Sequence, residues 1–452
     1  MLFRSSSYFA ALNARTFGTL RFKNQTNKNY SASGVSTGPT IRGNLEFENY
    51  NGGTGNFSST EAFTFNIAGN LINNGAALTF SNQSFNLNGT SEQNISGTGN
   101  LTFNNITINN SAGVNLNRSI IVNTGLLSVT NGVLNFGNYV VSGTGGFSLS
   151  DGSSVKTSNT NGLNGSITLS GTKTFNPNTN YTYNGTSAQV TGSLLPASIN
   201  NLSIDNTAGV TLSQNVTVNG ILYLTNGILN IGNNNITVSS GLAASILGGT
   251  VDNFINTTGT GKLTVNNLVR NTNFNFPIGH TTYSPLKINY SGTIDNFTVS
   301  VKNSFDNPPY NANYVNKQWT ITEGTTGDIN ANLTFQWNIS DENLGFNRVS
   351  DIYIGRYNGT IYESKLAALG GPGAGPFTAY ATGFTAFSPF GIGNEGALPV
   401  KLASFNSSVK VREIKLSWST ADELNNSGFD IERKNENSDW VKVGFMNGKH
   451  YV

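Results

Sequence analysis

Two stretches decide how this chain folds: FNNITINNSAGVNLNRSIIVN at residues 103–123 and INNLSIDNTAGVTLSQNVTVN at residues 199–219. About half of their aligned positions are identical. The likeness continues from LLSVTNGVLNFGN at 126–138 into ILYLTNGILNIGN at 221–233. It also extends backward, where Asn88-Gly-Thr-Ser-Glu-Gln corresponds to Asn184-Gly-Thr-Ser-Ala-Gln. The chain therefore carries an internal repeat of about 96 residues, which is typical of a repetitive architecture.

Short runs inside the repeat alternate apolar and polar residues and are closed by Asn-Gly or Gly-Asn. Ile106-Thr-Ile and Leu127-Ser-Val are examples, and this period of two predicts strands with one buried face. Gly and Asn tolerate the left-handed backbone that tight corners need. A coil of roughly 20 to 25 residues cannot bury its apolar face alone, whereas coils stacked about 4.8 Å apart can. The pattern predicts an all-β chain that begins with a right-handed parallel β-helix.

The alternation also predicts which side chains point inward. These are Ile106, Ile108, Val114, Leu116, Leu127 and Val129 in the first repeat, and Leu202, Ile204, Val210, Leu212, Leu222 and Leu224 in the second. Outward Asn side chains are expected to form amide ladders between coils. An array of sandwich domains of about 95 residues each is the alternative. Short strands and frequent Asn-Gly punctuation favour the solenoid.

Changes in composition and in the length of the predicted strands indicate where the domain boundaries lie. We expect an irregular, incomplete start at residues 1–17 and the solenoid at 18–267. Longer strands, loop prolines and the first tryptophans then predict an antiparallel β-sandwich at 268–395. The segment 396–452 differs again, since the last 55 residues hold 15 of the 48 charges in the chain.

The overall composition excludes several classes of function. The net charge is +2, which gives no bulk attraction to nucleic acid or to an anionic membrane. Charged residues make up 11% of the chain, against about 25% in ordinary globular proteins. There is no cysteine, so disulfides, thiolate metal sites and a cysteine nucleophile are excluded. No stretch approaches a transmembrane span.

Parallel β-helices can be polysaccharide lyases or hydrolases, which need paired carboxylates or a carboxylate-bound Ca²⁺ beside a base. Between Gln93 and Thr250 the only charged residues are Arg118, Asp151, Lys156, Lys173 and Asp205. No two acids are close in sequence, and the repeat equivalent of Asp205 is Asn109. We therefore predict no enzyme activity, no catalytic residue and no cofactor.

Few other residues suggest chemistry. The two histidines, His280 and His450, lie outside zinc-type motifs, so we predict no metal site. Asp341 and Glu342, in SDENLGF, are a minor alternative as ligands of a Ca²⁺ site. GGPGAG at 370–375 lacks the Lys-Ser/Thr of a phosphate loop, so we interpret it as a linker. Four tryptophans are expected to pack in cores rather than to stack on sugars: Trp319, Trp337, Trp418 and Trp440.

The C-terminal segment resembles a known module. From Leu398 it runs LPVKLASFNSS, then IKLSWSTADELNNSGFDIERKNENSDWVKVGFMNG, and this is similar to the fibronectin-like module near the C-terminus of many Bacteroidetes secreted and surface proteins. The residues that match are Leu398, Pro399, Val400, Phe405, Leu416, Trp418, Thr420, Ala421, Glu423, Asn425, Asn426, Gly428, Phe429, Ile431, Glu432, Arg433 and Gly444. FPIG at Phe276, VNKQW at Val315, FNR at Phe346 and TAFSPFGIG at Thr385 resemble a region common just upstream in such proteins.

The resemblance implies secretion by the type IX route, with a sorting domain after the module. The module is expected to be truncated at Val452, without that sorting domain, and the first residues lack the apolar run of a signal peptide. The implied location is extracellular or on the outer cell surface.

Together these observations predict a non-catalytic structural or adhesive surface rod, with extracellular glycans or host and neighbouring surfaces as partners. The alternative is a glycan-binding accessory region of a larger polysaccharide-acting protein. A row of outward aromatic side chains on the solenoid would favour the alternative, and an exterior of Asn, Ser and Thr would favour the rod. The sequence leaves the ligand unknown.

Overall fold

A computed structural model describes residues 2–4, 12–25, 30–31, 35–50, 57–58, 61–309, 311–371, 373–395, 402–410, 413–420, 428–434 and 439–447. The chain forms two compact units, one of residues 1–240, 244–255 and 259–261, the other of 241–243, 256–258 and 262–452. Almost every element in the described ranges is a β-strand.

The strands up to residue 256 are mostly short. They are β1 (Leu2–Arg4), β2 (Thr16–Phe17), β3 (Leu20–Gln25), β4 (Tyr30–Ser31), β5 (Thr40–Ile41), β6 (Leu45–Tyr50), β7 (Phe57–Ser58), β8 (Thr64–Ile67), β9 (Leu71–Asn74), β10 (Leu78–Leu87), β11 (Gln93–Ser96), β12 (Leu101–Leu116), β13 (Ile120–Val122), β14 (Leu126–Gly137), β15 (Val141–Ser142), β16 (Gly146–Leu149), β17 (Ser154–Thr157), β18 (Lys173–Phe175), β19 (Asn180–Tyr183) and β20 (Gln189–Val190). They continue as β21 (Ser198–Ile199), β22 (Leu202–Asp205), β23 (Val210–Thr211), β24 (Val216–Val218), β25 (Leu222–Asn226), β26 (Leu229–Asn230), β27 (Ile236–Val238), β28 (Ile246–Gly248) and β29 (Ile255–Asn256). One short helix, α1 (Gly162–Ser166), interrupts them, and a 3-10 turn spans Ala243–Ser245.

The first unit is a parallel β-solenoid, which confirms the predicted parallel β-helix, and it has about eleven turns. One ladder runs in parallel register through β3, β6, β9, β11, β12, β14, β17, β19, β22, β25 and β28. Residues 2–4 and 16–17, within the start that we expected to be irregular, form β1 and β2, which pair with β3 and β5.

All twelve positions predicted to point inward are buried, none of them more than 3% exposed. Phenylalanine fills the core of the early coils, where the rings of Phe22 and Phe47 stack with centroids 5.2 Å apart. Each inward Val, Leu or Ile contributes roughly 1.5–3 kcal/mol by leaving water. The alternation of apolar residues therefore identifies the core of this unit correctly.

The sequence repeat and the coil do not have the same length. Val114, Leu134, Val155, Tyr181 and Leu202 form one column, four coils and 88 residues long. The sequence repeat of about 96 residues is about eight residues longer than these four coils. About eight residues also separate one face of a coil from the next face. The second copy of the repeat is therefore rotated by one face relative to the first.

A buried glutamine and a buried asparagine close one corner of the first repeat. The Gln93 Oε1 atom accepts hydrogen bonds from the Gly89 backbone N–H at 2.9 Å and from Asn110 Nδ2 at 2.9 Å. The Gln93 Nε2 group donates to the Ile67 carbonyl at 2.9 Å and to the Gly69 carbonyl. The side chain thus ties its own corner to the coil before it.

The second repeat contains the same arrangement, and we call the two of them the Gln–Asn clamps. Gln189 Oε1 accepts from the Gly185 N–H at 2.7 Å and from Asn206 Nδ2 at 2.8 Å. Its Nε2 group donates to the carbonyls of Thr157 at 3.1 Å and Asn159 at 2.9 Å. Because a buried amide without partners is costly, the clamps specify which residues turn each corner.

Asparagine amides also link the coils on the outside. Asn86 Nδ2 donates to Asn66 Oδ1 at 3.0 Å. Asn135 Nδ2 donates to Asn115 Oδ1, also at 3.0 Å. The predicted amide ladders are therefore present in this part of the chain.

From Leu263 onward the strands are longer and pair antiparallel. They are β30 (Leu263–Leu268), β31 (Phe274–Phe276), β32 (Ile278–His280), β33 (Thr282–Tyr283), β34 (Leu286–Gly292), β35 (Asp295–Lys302), β36 (Tyr314–Glu323), β37 (Ile329–Trp337), β38 (Ile352–Tyr357), β39 (Tyr362–Gly370), β40 (Phe377–Phe384), β41 (Pro389–Asn394), β42 (Leu402–Lys410), β43 (Glu413–Thr420), β44 (Gly428–Arg433) and β45 (Val441–Asn447). A 3-10 turn spans Ile339–Asp341.

Two antiparallel ladders make up most of the second unit. One contains β30, β35, β36, β41 and β38, and the other contains β31, β34, β37 and β40. Strand β39 pairs with β38 and with β40, and so joins the two. Rings from both ladders pack together, since the centroids of Trp319 and Phe335 lie 5.0 Å apart. The described part of GGPGAG connects β39 to β40, as its interpretation as a linker predicts.

The C-terminal residues form two separate hairpins, β42 with β43 and β44 with β45. The ring centroids of Phe405 and Trp418 lie 6.5 Å apart, and those of Trp418 and Phe429 lie 5.7 Å apart. Phe405 is 60% exposed. Several positions that carry the resemblance lie outside the described residues: Leu398, Pro399, Val400, Ala421, Glu423, Asn425 and Asn426.

Replacing Asn110 by alanine tests the first Gln–Asn clamp. The change removes the donor to Gln93 Oε1 and to the Ser91 carbonyl, and should lower the free energy of unfolding by about 1–3 kcal/mol. Asn206→Ala should behave alike. Asn117→Ala is the control, because Asn117 is exposed and should cost no more than about 0.5 kcal/mol. Equal shifts of the guanidinium midpoint in all three variants would contradict a special role for the clamp.

Alanine substitutions at two glycines compare the cost of backbone strain alone with the cost of strain plus a steric clash. Gly132 and Gly152 have φ angles of 84° and 77°, so alanine at either should cost about 1–2 kcal/mol of left-handed strain. A Cβ at Gly132 would also lie 1.8 Å from the Asn110 carbonyl oxygen, whereas nothing lies within 4 Å at Gly152. We expect Gly132→Ala to cost roughly 3–5 kcal/mol. Similar denaturation midpoints for the two alanine variants would contradict the close packing of this corner.

Candidate functional site

A lysine with no exposed side-chain surface lies in the second unit. Strand β36 alternates so that Val315, Lys317, Trp319 and Ile321 all point inward. Lys317 thus occupies a position that the pattern reserves for an apolar side chain. The sequence analysis did not single it out, although a charged residue between inward Val and Trp positions was a detectable signal.

The Lys317 ammonium is surrounded by oxygen atoms. Its Nζ donates to the His280 carbonyl at 3.1 Å, to Thr282 Oγ1 at 2.7 Å and to Asn303 Oδ1 at 2.5 Å. It also forms an ion pair with Asp341 Oδ1 at 3.3 Å. We call these residues the Lys317 cluster. Burial lowers the pKa of Lys317, and the charge of Asp341 acts against that shift.

The Asp341 carboxylate is fixed by the 3-10 turn that it ends. Asp341 Oδ2 accepts from the Asn338 backbone N–H at 2.9 Å, and Oδ1 accepts from Thr282 Oγ1 at 3.1 Å. The Asn338 amide donates in turn to the Tyr283 carbonyl at 3.1 Å. This capping arrangement orients the carboxylate toward Lys317.

Glu342 takes part in a different set of contacts. Its Oε1 accepts from Trp337 Nε1 at 2.9 Å, and its Oε2 lies 3.3 Å from Arg348 Nε. The Arg348 guanidinium lies over the Phe377 ring, 4.4 Å from its centroid. The two acids considered for Ca²⁺ are thus engaged by separate cations. No group of three or more His, Asp or Glu side chains suited to a metal occurs in the described ranges.

His280 adjoins the Lys317 cluster through its backbone. Its Nδ1 atom is buried without a hydrogen-bond partner. Burial lowers the pKa of His280 below its ordinary value of 6.5, and the nearby Lys317 charge lowers it further. The structure therefore brings together His280 and Asp341, which the sequence had considered separately. The second histidine, His450, lies outside the described residues.

Three of the charged residues between Gln93 and Thr250 form hydrogen bonds at the surface and corners of the solenoid. Asp205 Oδ1 accepts from Asn226 Nδ2 at 2.7 Å, and Asp151 Oδ1 accepts from the Asn178 N–H at 3.4 Å. Arg118 donates to the Gly97 carbonyl at 2.9 Å. Each acid is engaged by an asparagine of a neighbouring coil, and the described contacts place no second carboxylate beside either.

Two acids, Asp295 and Asp328, line a surface cavity of about 280 Å³ between residues 293–295 and 325–329, and Glu323 lies near Asp295. Asp295 is buried there and accepts the Thr325 N–H at 2.9 Å. Burial raises the pKa of Glu323, and the charge of Asp295 raises it further. Because Asp295 accepts hydrogen bonds from backbone N–H groups, we identify it as a residue that closes this loop.

The tryptophans differ in environment. Trp319 and Trp337 are fully buried, as predicted for core packing. Trp418 is half-buried between Phe405 and Phe429. Trp440 does not follow the prediction, since it is 60% exposed and carries the Lys434 ammonium 5.1 Å from its ring centroid. An exposed indole is available for contact with a ligand.

The chain matches no known family model, no curated protein and no solved structure. Among the described residues, no helix is long and apolar enough to cross a membrane.

The lowered pKa of His280 predicts a pH dependence of stability. The unfolded chain takes up a proton near pH 6.5, whereas the folded chain resists it, so the free energy of unfolding should fall as the pH drops through this range. His280→Gln should reduce that loss between about pH 7 and pH 5. An NMR titration that places the pKa of His280 at or above 6.5 would contradict this assignment.

Proposed function

We propose that the chain is a non-catalytic structural or adhesive rod that acts outside the cell or on its outer surface. The observation that carries this proposal is a column of side chains on the outer face of the solenoid. Its members follow one another in register on successive coils: Asn66, Asn86, Thr107, Ser128, Ser148 and Thr174. All are neutral hydrogen-bonding groups, so this column has the composition that the sequence analysis associated with a rod. Another outer column carries Tyr223 and Leu247.

Such a face suits many weak contacts better than one strong site. Repeated neutral donors and acceptors can bind an extended partner by multivalency, without a catalytic centre. General acid–base catalysis instead needs a titratable group held in a perturbed environment at an accessible site. Among the described solenoid acids, Asp151 and Asp205 each contact one asparagine. Glu46 and Glu48 are both paired with Arg21.

The finer fold assignments belong to the same proposal. We infer a right-handed solenoid, a β-sandwich at 268–395 and a fibronectin-like module at 396–452. The contact between Trp319 and Phe335 supports two packed layers in the sandwich. The hairpins β42–β43 and β44–β45 fit part of a fibronectin-like sheet. Secretion by the type IX route rests on the sequence resemblance of that segment alone.

Glycan binding is the second candidate, favoured by one observation. Trp440 is exposed, and its ring lies close to the Lys434 ammonium. Indole faces bind the apolar faces of sugars, and a neighbouring donor can engage hydroxyl groups. This would make the C-terminal hairpins, rather than the solenoid, the contact surface.

A panel of polysaccharides tests the proposal. We expect no release of reducing ends and no unsaturated product above background. Binding to glycans or cell surfaces, where it occurs, should change little with ionic strength, because neutral groups make the contact. Turnover that is lost in Asp151→Ala or Asp205→Ala would overturn the non-catalytic assignment.

The same binding assay separates the two candidates. Binding that is steeply salt-dependent and lost in Trp440→Ala would favour the glycan-binding hairpins. Trp440 is exposed, so its replacement should leave the denaturation midpoint of the solenoid unchanged and thereby serve as its own folding control.

A further inference from the structure

The Lys317 cluster places a buried amine beside a half-buried carboxamide. Lys302 of β35 pairs with Gln318 of β36. Asn303 follows Lys302 at the end of β35 and therefore lies next to Lys317 of β36. The Cγ–Oδ1 bond is about 1.23 Å long, so the 2.5 Å contact from Nζ to Oδ1 puts the Asn303 Cγ roughly 3 to 3.7 Å from Nζ. Near-attack arrangements place the reacting atoms about 3–3.5 Å apart, and this separation overlaps the range between Nζ and Cγ.

The Asn303 carboxamide is held in one orientation. Its oxygen accepts from Lys317, and its Nδ2 donates to Thr281 Oγ1 at 3.0 Å. Lys317 is fully buried, whereas Thr281 is exposed. The amine therefore approaches from the interior, and the amide nitrogen faces the side that opens to solvent.

We propose that Lys317 and Asn303 join in an intramolecular isopeptide bond, with Asp341 carrying protons between them. The Nζ–Cγ bond forms and the Cγ–Nδ2 bond breaks. Two protons of the Lys317 ammonium end on the departing nitrogen, which leaves as an ammonium ion. No atom is oxidised or reduced, so the reaction needs no co-reactant.

Three features of the site favour this reaction. Burial lowers the pKa of Lys317, which raises the fraction of neutral, nucleophilic amine. Asp341 lies 3.3 Å from Nζ, and its other contacts keep the carboxylate in place. Conversion of the ammonium into an amide also removes a charge from a buried position, where it is costly.

Asn303 is a better partner for the amine than Asp341. The Nζ–Oδ1 distance is 2.5 Å for Asn303 and 3.3 Å for Asp341. A carboxylate is also the poorer electrophile, because it carries a negative charge. The product would tie β35 to β36 covalently, independently of the function that we propose for the solenoid.

The intact mass of the full chain, measured after denaturation, tests the proposal. We expect the folded protein to be lighter than its sequence by one ammonia, and a protease digest to yield one branched peptide that contains Lys317 and Asn303. Lys317→Met, Asn303→Ala and Asp341→Ala should all restore the sequence mass. Lys302→Met is the matched control on the adjacent strand, and it should keep the loss.

Several outcomes would overturn the proposal. The unmodified sequence mass in the folded wild-type protein would do so directly, whether or not any variant folds. A loss of ammonia that persists in Lys317→Met would assign it to a succinimide at another asparagine. A loss of one water, mapped to Lys317 and Asp341, would replace the proposed bond by a different one. A branched peptide that persists in Asp341→Ala would remove Asp341 from the reaction.

Discussion

The hydrogen bonding of each strand to the strand one coil later is the interaction on which the solenoid depends. A single coil has too little apolar surface to pack on itself, so its backbone groups and its inward side chains need the neighbouring coils. The column from Val114 to Leu202 satisfies both needs at once. Because the second repeat is rotated by one face, non-equivalent positions of the two repeats stack in this column, which holds Val, Leu and Tyr side chains.

Stacking also constrains which polar residues the solenoid can carry. Like charges repeated about 4.8 Å apart on successive coils would repel each other, whereas amides can both donate and accept. The outer columns are accordingly rich in asparagine, as in the contact of Asn66 with Asn86. Between β3 and β6 the charges in register have opposite signs, and the Arg21 guanidinium lies 2.6 Å from Glu46 Oε2.

The second unit handles polar groups differently. Its antiparallel strands are not stacked copies of one coil, so a charged residue on one strand does not recur at the same position on the next strand. A single charged residue can therefore be enclosed by loops. Lys317 is enclosed in this way by the His280 carbonyl, Asn303 and Asp341. An ammonium so fully surrounded is either a satisfied core charge or a reactive amine, and the chemistry of its neighbour Asn303 favours the second.

Local alternation and turn residues by themselves determined the solenoid, its inward side chains and its amide ladders, because each depends on a period of two and on glycine or asparagine at corners. The offset between the 96-residue repeat and the coil was not predictable, since the long coil with α1 shifts the register. Nor was the Lys317 cluster, whose members come from loops and strands up to 61 residues apart in sequence, from His280 to Asp341. Such contacts follow from how antiparallel strands pair over long separations, and only the tertiary structure decides that.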